Sequence, residues 1–94
     1  MSPLRIKLEY SQHFLNERKK YIKNNPDRFE NYKKAITLFL ANPLHPGLNN
    51  EKLKNAKGMY TFRLNKSDRI FFLWKEENTA LFVDIGKHDK YRKY

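Results

Sequence analysis

Ninety-four residues carry 20 Lys and Arg against 10 Asp and Glu, a formal charge of +10, with no cysteine. A chain of this length buries about 60 to 70% of its unfolded surface around one core, so a single domain over 1–94 is expected. The missing cysteines exclude a disulfide framework, a thiolate metal site and a thiol nucleophile. The charge, with a pI near 9.9, points to a polyanionic or acidic partner.

Hydrophobic residues make up 39% of the chain, including seven Phe, six Tyr and one Trp. That supply of large side chains supports a folded core and argues against disorder. No apolar run approaches the ~18 residues of a membrane span, and the N-terminus lacks a signal-peptide core. A cytoplasmic protein with no membrane association is the expectation.

In chain order, Leu4, Ile6, Leu8 and Tyr10 alternate with polar residues and predict a half-wet first strand. Ser11 is placed to cap a helix reaching about Asn24, with Phe14, Leu15, Arg18, Tyr21 and Ile22 on one stripe and Arg18 snorkelling from it. Asn24-Asn25-Pro26 interrupts that helix. Asp27 with Glu30 three residues on has the form of a capping box for a second helix, whose buried face would be Phe29, Tyr32, Ile36, Phe39 and Leu40. A turn-rich link, Asn42 to Gly47, leads into three further strands.

In the first of these, Tyr60, Phe62 and Leu64 share one face while Thr61 and Arg63 share the other. Arg69 to Lys75 is apolar on both faces and so belongs in the middle of the sheet. Thr79 to Ile85 is the last strand, and the polar links at 65–68 and 76–78 are of hairpin length. The predicted class is α+β in the order β-α-α-β-β-β, a helical hairpin packed on one face of a mostly antiparallel four-stranded sheet. Arg63 and Arg69 can then stand together on the face away from the core. The same arginines could instead pair with Asp84 or Asp68 across the sheet.

The segments Leu53-Lys54 and Gly58, Tyr60-x-Phe62-Arg63-Leu64-Asn65, Asp68-Arg69-Ile70-Phe71-Phe72, and Asp84-Ile85-Gly86-Lys87-His88-Asp89 with Tyr91 occur in an order and spacing that resembles the RelE/ParE superfamily of bacterial toxins. The resemblance runs over nearly the whole chain. It implies the toxin of a type II toxin–antitoxin pair: an endoribonuclease that cleaves mRNA in the ribosomal A site, inhibits translation, needs no metal or other cofactor, and is held inactive by an acidic cognate antitoxin in an oligomeric complex. In the family's pattern Arg69 contacts the scissile phosphate, assisted by Arg63, Lys54 and Lys57. His88 and Tyr91 match the His and aromatic that act at the leaving group or the base, in the RelE-like and YafQ-like branches. Lys87 and Lys90 join Lys54, Lys57 and Tyr91 as RNA-binding candidates.

Glu51 occupies the place where one branch carries a His ahead of Leu-x-Gly, and YoeB-like members use a glutamate as base. Glu51 is therefore counted with the catalytic candidates, while the identity of the general base stays open. A ParE-type reading, the same fold directed at DNA gyrase without nuclease residues, is the alternative, and His88 argues against it.

The chemistry agrees on independent grounds. Metal-free RNA cleavage needs a base for the 2′-OH, cations for the charge growing on the phosphoryl oxygens, and an acid for the departing 5′-oxygen. Guanidinium suits the second task, and imidazole suits the first or third. His13 and His45 are expected to be bystanders, and three scattered His without Cys do not form a ligand set.

Overall fold

A computed structural model describes residues 5–54 and 56–93, with the side chains of Tyr91 and Lys93 outside the description. The first strand, β1 (Lys7–Tyr10), lies at a sheet edge and runs parallel to the last strand. Ser11 ends it and caps the next element. Its hydroxyl accepts the Phe14 N–H at 3.0 Å, starting α1 (Gln12–Ile22). Phe14 and Tyr21 are the buried residues of that helix. Arg18 snorkels as its stem-and-head chemistry suggests, with its guanidinium over the Tyr10, Phe14 and Tyr32 rings and Nη1 donating to the Tyr32 hydroxyl at 3.1 Å.

The start of α2 (Pro26–Ala41) corrects the sequence reading. Its N-cap is Asn25, whose Oδ1 accepts the Arg28 N–H at 3.1 Å, and Pro26 sits in the first turn, where a missing N–H costs nothing. Asp27 is thus inside the helix, and Glu30 pairs with Lys33 at 2.8 Å rather than closing a capping box. The buried face is also rotated from the expected one. Tyr32, Ala35 and Phe39 face the core, whereas Phe29 and Leu40 each remain 43% exposed. Hydrophobicity alone ranked Phe29 above Ala35, yet close approach of a helix to a sheet favours the small residue.

After a 3₁₀ turn at Pro46–Leu48 come β2 (Glu51–Lys52), β3 (Met59–Arg63), β4 (Asp68–Glu76) and β5 (Thr79–Lys87), then a 3₁₀ segment, His88–Lys93. The sheet has five strands in the order β1-β5-β4-β3-β2, not four. The extra strand is the two-residue β2, antiparallel to β3 and too short and polar to leave an alternation. Only the β1–β5 pairing is parallel, because the chain crosses from one to the other through both helices and the hairpins.

As anticipated, β4 is central. Phe62, Ile70, Phe72 and Phe82 on the helix side are fully buried against Phe14 and Phe39. Phe39 alone stacks on Phe62 at 4.7 Å between centroids and meets Phe72 edge-on at 5.1 Å. The β4–β5 register slips between Phe71 and Phe72, which pair with Asp84 and Phe82, so Val83 is bulged out. Among the described residues no helix is long and apolar enough to cross a membrane.

Candidate functional site

One end of the sheet gathers the charged residues. Arg63 on β3 is directly opposite Arg69 on β4, which in turn is opposite Gly86 on β5. Side chains of directly opposed residues leave the same face, about 5 Å apart at Cβ, so the register aims two guanidiniums into one place, on the face away from the helices. Their surroundings differ. Arg63 is exposed, while Arg69 is only 6% exposed.

Arg69 Nη1 donates a long 3.4 Å hydrogen bond to the Asn49 carbonyl, and its buried Nε has no partner among the described residues. Burial pulls the Arg69 pKa below its ordinary value; the Glu51 carboxylate on β2 opposes that shift and the Arg63 charge adds to it. A guanidinium remains a cation under such a shift. Buried donors are normally satisfied, and like charges opposed across strands repel. An anion held between Arg63 and Arg69 answers both. The Thr61 hydroxyl, on the same face of β3, is the other buried polar atom without a partner among those described.

His88 is brought to this end by the β3–β4 turn. Its backbone N–H donates to the Ser67 carbonyl at 2.7 Å. The turn itself is fixed by Asp68, whose buried carboxylate accepts from the Tyr21 hydroxyl at 2.5 Å and from Asn65 Nδ2 at 2.9 Å. Burial first, then the hydrogen bond to Asp68 and its charge, push the Tyr21 phenol well above its usual pKa, so it stays a donor. Asp68 and Asp84 are thus engaged by groups other than the two arginines. Lys90 Nζ is 3.0 Å from Asp84 Oδ1 and 3.6 Å from Glu17 Oε2, and His13 Nε2 is 3.3 Å from the same Asp84 oxygen.

No family model matches the sequence, and no curated protein matches it. Solved structures do. The chain superposes on the E. coli DinJ–YafQ toxin–antitoxin complex with a TM-score of 0.74 at 19% identity, covering 93% of this chain and 97% of that one. The YoeB/ParE toxin from Agrobacterium tumefaciens gives 0.74 at 14% identity over 88% and 99% of the two chains. The heterotetrameric YoeB–YefM toxin–antitoxin complex from Staphylococcus aureus gives 0.71 at 21% over 90% and 99%. The fold is that of the RelE/ParE toxins.

On this RelE/ParE fold the residues singled out from sequence divide into groups. Arg63, Arg69 and the His88 backbone converge, as described. Glu51 is exposed on β2, opposite Thr61, and accepts from Asn49 Nδ2 at 3.0 Å, so it reaches the site through its charge on Arg69. Lys54 and Lys57 are exposed in the β2–β3 link, and Lys87 is exposed at the end of β5 opposite Asp68. Lys90 is half-buried in ion pairs rather than presented at the surface. The Tyr91 side chain lies outside the described residues.

The residues missed from sequence are the supports: Tyr21, Asn49, Thr61 and the bystander His13. Tyr21 read as core because its ring is core; nothing in the spacing tells where its hydroxyl ends. Asn49 holds a left-handed backbone at φ 47°, a conformation asparagine tolerates, and an Asn-Asn pair after Gly-Leu was the available signal. Among the described residues no group of three or more His, Cys, Asp or Glu is placed to hold a metal ion.

Proposed function

We propose that this chain is the toxin of a type II toxin–antitoxin pair and acts as an endoribonuclease on mRNA, at the ribosomal A site. The observation that carries the reading is the opposed pair Arg63 and Arg69, with Arg69 Nε buried and unpartnered among the described residues, at the end of the sheet where the 3₁₀ segment begins with His88. Structures of similar fold include complexes with the antitoxins DinJ and YefM, which supports an inhibitory partner for this chain as well. With +10 on the chain, that partner is acidic.

In this mechanism the 2′-oxygen attacks the adjacent phosphorus and the bond to the 5′-oxygen breaks, leaving a 2′,3′-cyclic phosphate. Arg69, with Arg63, neutralises the charge that builds on the phosphoryl oxygens, where a preorganised guanidinium acts most strongly because it is already desolvated. His88 donates the proton that the departing 5′-oxygen takes up. Glu51, whose charge acts on Arg69, is the candidate for the base. Lys54, Lys57, Lys87 and Tyr91 hold the flanking RNA.

The test is end-group analysis of RNA from ribosomes incubated with the purified protein. Cyclic or 3′-phosphate ends at the A-site codon are expected. His88→Ala should slow single-turnover cleavage by about 10² to 10⁴-fold and flatten one limb of the pH–rate profile. Growth inhibition without RNA cleavage, insensitive to His88→Ala in a folded protein, would overturn the nuclease and favour a gyrase-type target.

A further inference from the structure

Lys90 looks from sequence like one more RNA-binding cation, but its surroundings are those of a structural tie. Its Nζ donates to the Ile85 carbonyl at 2.9 Å and to Asp84 Oδ1 at 3.0 Å, and lies 3.6 Å from Glu17 Oε2. The ammonium gives two protons to acceptors on β5 and keeps the Glu17 carboxylate on α1 as an ion-pair partner. The side chain is 21% exposed and the Asp84 side chain 0%. Reaching these acceptors requires its methylenes to cross Gly86: a Cβ at that position would meet Lys90 Cε at 2.7 Å and Cδ at 3.1 Å. Gly86 also holds φ +149°, which an L side chain rarely adopts, so glycine is needed there for two reasons.

The consequence falls on His88. Lys90 bonds back to Asp84 and Ile85, closing a loop over residues 85–90 with His88 inside it. The His88 amide is tied separately to Ser67 on the β3–β4 turn. Gly86, under the Lys90 chain, is the residue opposite Arg69. We propose that Lys90 is a positioning residue: clasped between Asp84, the Ile85 carbonyl and Glu17, it fixes the turn that carries His88 relative to Arg69, and does not itself bind RNA. Its effect on cleavage rests on the ribonuclease reading above; the clasp itself does not.

A misplacement of about 1 Å at a reacting group can cost about 10²-fold in rate, so loosening this turn should show in the chemistry before it shows in binding. The experiment compares the parent with Lys90→Met, which keeps the methylene stem, and Asp84→Asn, which removes the partner charge and no cation. Three quantities are read: amide hydrogen exchange, single-turnover RNA cleavage, and the salt dependence of RNA binding. The clasp predicts exchange over residues 87–93 faster by about tenfold or more in both variants, with the β4 amides unchanged. Cleavage falls by about 10 to 10²-fold in both.

The slope of log K against log salt stays at the parental value in Lys90→Met. A phosphate contact would instead reduce that slope by about one in Lys90→Met and leave Asp84→Asn unaffected, and that result overturns the proposal. Unchanged exchange at 87–93 also overturns it. If either variant fails to fold, Glu17→Gln, which weakens the clasp from its half-exposed side, must show the same local exchange change at smaller size. Should the parent not cleave RNA, the nuclease reading fails, and the exchange measurement still decides the clasp.

Discussion

The two ends of the molecule obey opposite rules. On the helix side of the sheet, Phe14, Phe39, Phe62, Phe72 and Phe82 are fully buried and in mutual ring contact, each stabilised by its neighbours. At the Arg63–Arg69 end, two cations oppose each other, and Arg69 Nε and the Thr61 hydroxyl are buried with no partner among the described residues. The first region stabilises the fold; the second is held in place by it. Substitutions should therefore separate: stability falls with the aromatic cluster, activity falls with the arginine end, and few residues should do both.

The largest expected effect is on the stable side. Phe39→Ala removes a ring at 0% exposure that touches Phe62, Phe72, Trp74 and Phe82, and should destabilise by about 3 to 5 kcal/mol, read by urea unfolding. Against a total of about 5 to 15 kcal/mol for a domain, that is enough to leave a sizeable unfolded fraction. If Phe39→Ala melted like the parent, the cluster would not be the core.

Tyr21 joins the two regions. Tyr21→Phe keeps the packed ring but takes one hydrogen bond from the buried Asp68 carboxylate, leaving those from Asn65 and Ser67, and should destabilise by about 1 to 3 kcal/mol at neutral pH. It should also change the alkaline limb. The folded state raises the Tyr21 pKa above its ordinary 10.0, so between the two values the folded protein binds the proton more tightly than the unfolded chain. That contribution is complete below pH 10 and is lost as pH rises beyond it. The parent should therefore lose stability above pH 10 faster than Tyr21→Phe does, measured as the difference in unfolding midpoint.

The smallest effect has the opposite sign. Thr61→Val replaces a buried hydroxyl that has no partner by a methyl group of similar shape, and should leave stability unchanged or raise it by about 1 kcal/mol. A clear loss of stability in thermal unfolding would mean that the hydroxyl is satisfied and that the arginine end is less strained than described.

Strand alternation and Arg18 were legible because both follow from local chemistry: period two for a half-buried strand, a long stem with a charged head for the arginine. The opposed pair of arginines was legible in part. Alternation put Arg63 off the core face, but the contact of the buried Arg69 with the Asn49 carbonyl spans 20 residues of sequence and leaves no local pattern. Asn25 displaced Asp27 as helix cap because Pro26 prefers the first turn, a competition that a motif match at 27 and 30 does not register. Lys90 carried the same charge in sequence as Lys87, and only the fold distinguishes the clasped cation from the exposed one.

The central claim is that Arg69 serves an anion at some expense to the fold. Arg69→Gln tests it when thermal unfolding and single-turnover RNA cleavage are measured on the same preparation. The account predicts a melting temperature equal to or above that of the parent, since a desolvated charge facing Arg63 is removed, together with cleavage slower by about 10² to 10³-fold. A variant that cleaves at the parental rate, or one whose melting temperature falls as far as that of Phe39→Ala, would contradict it.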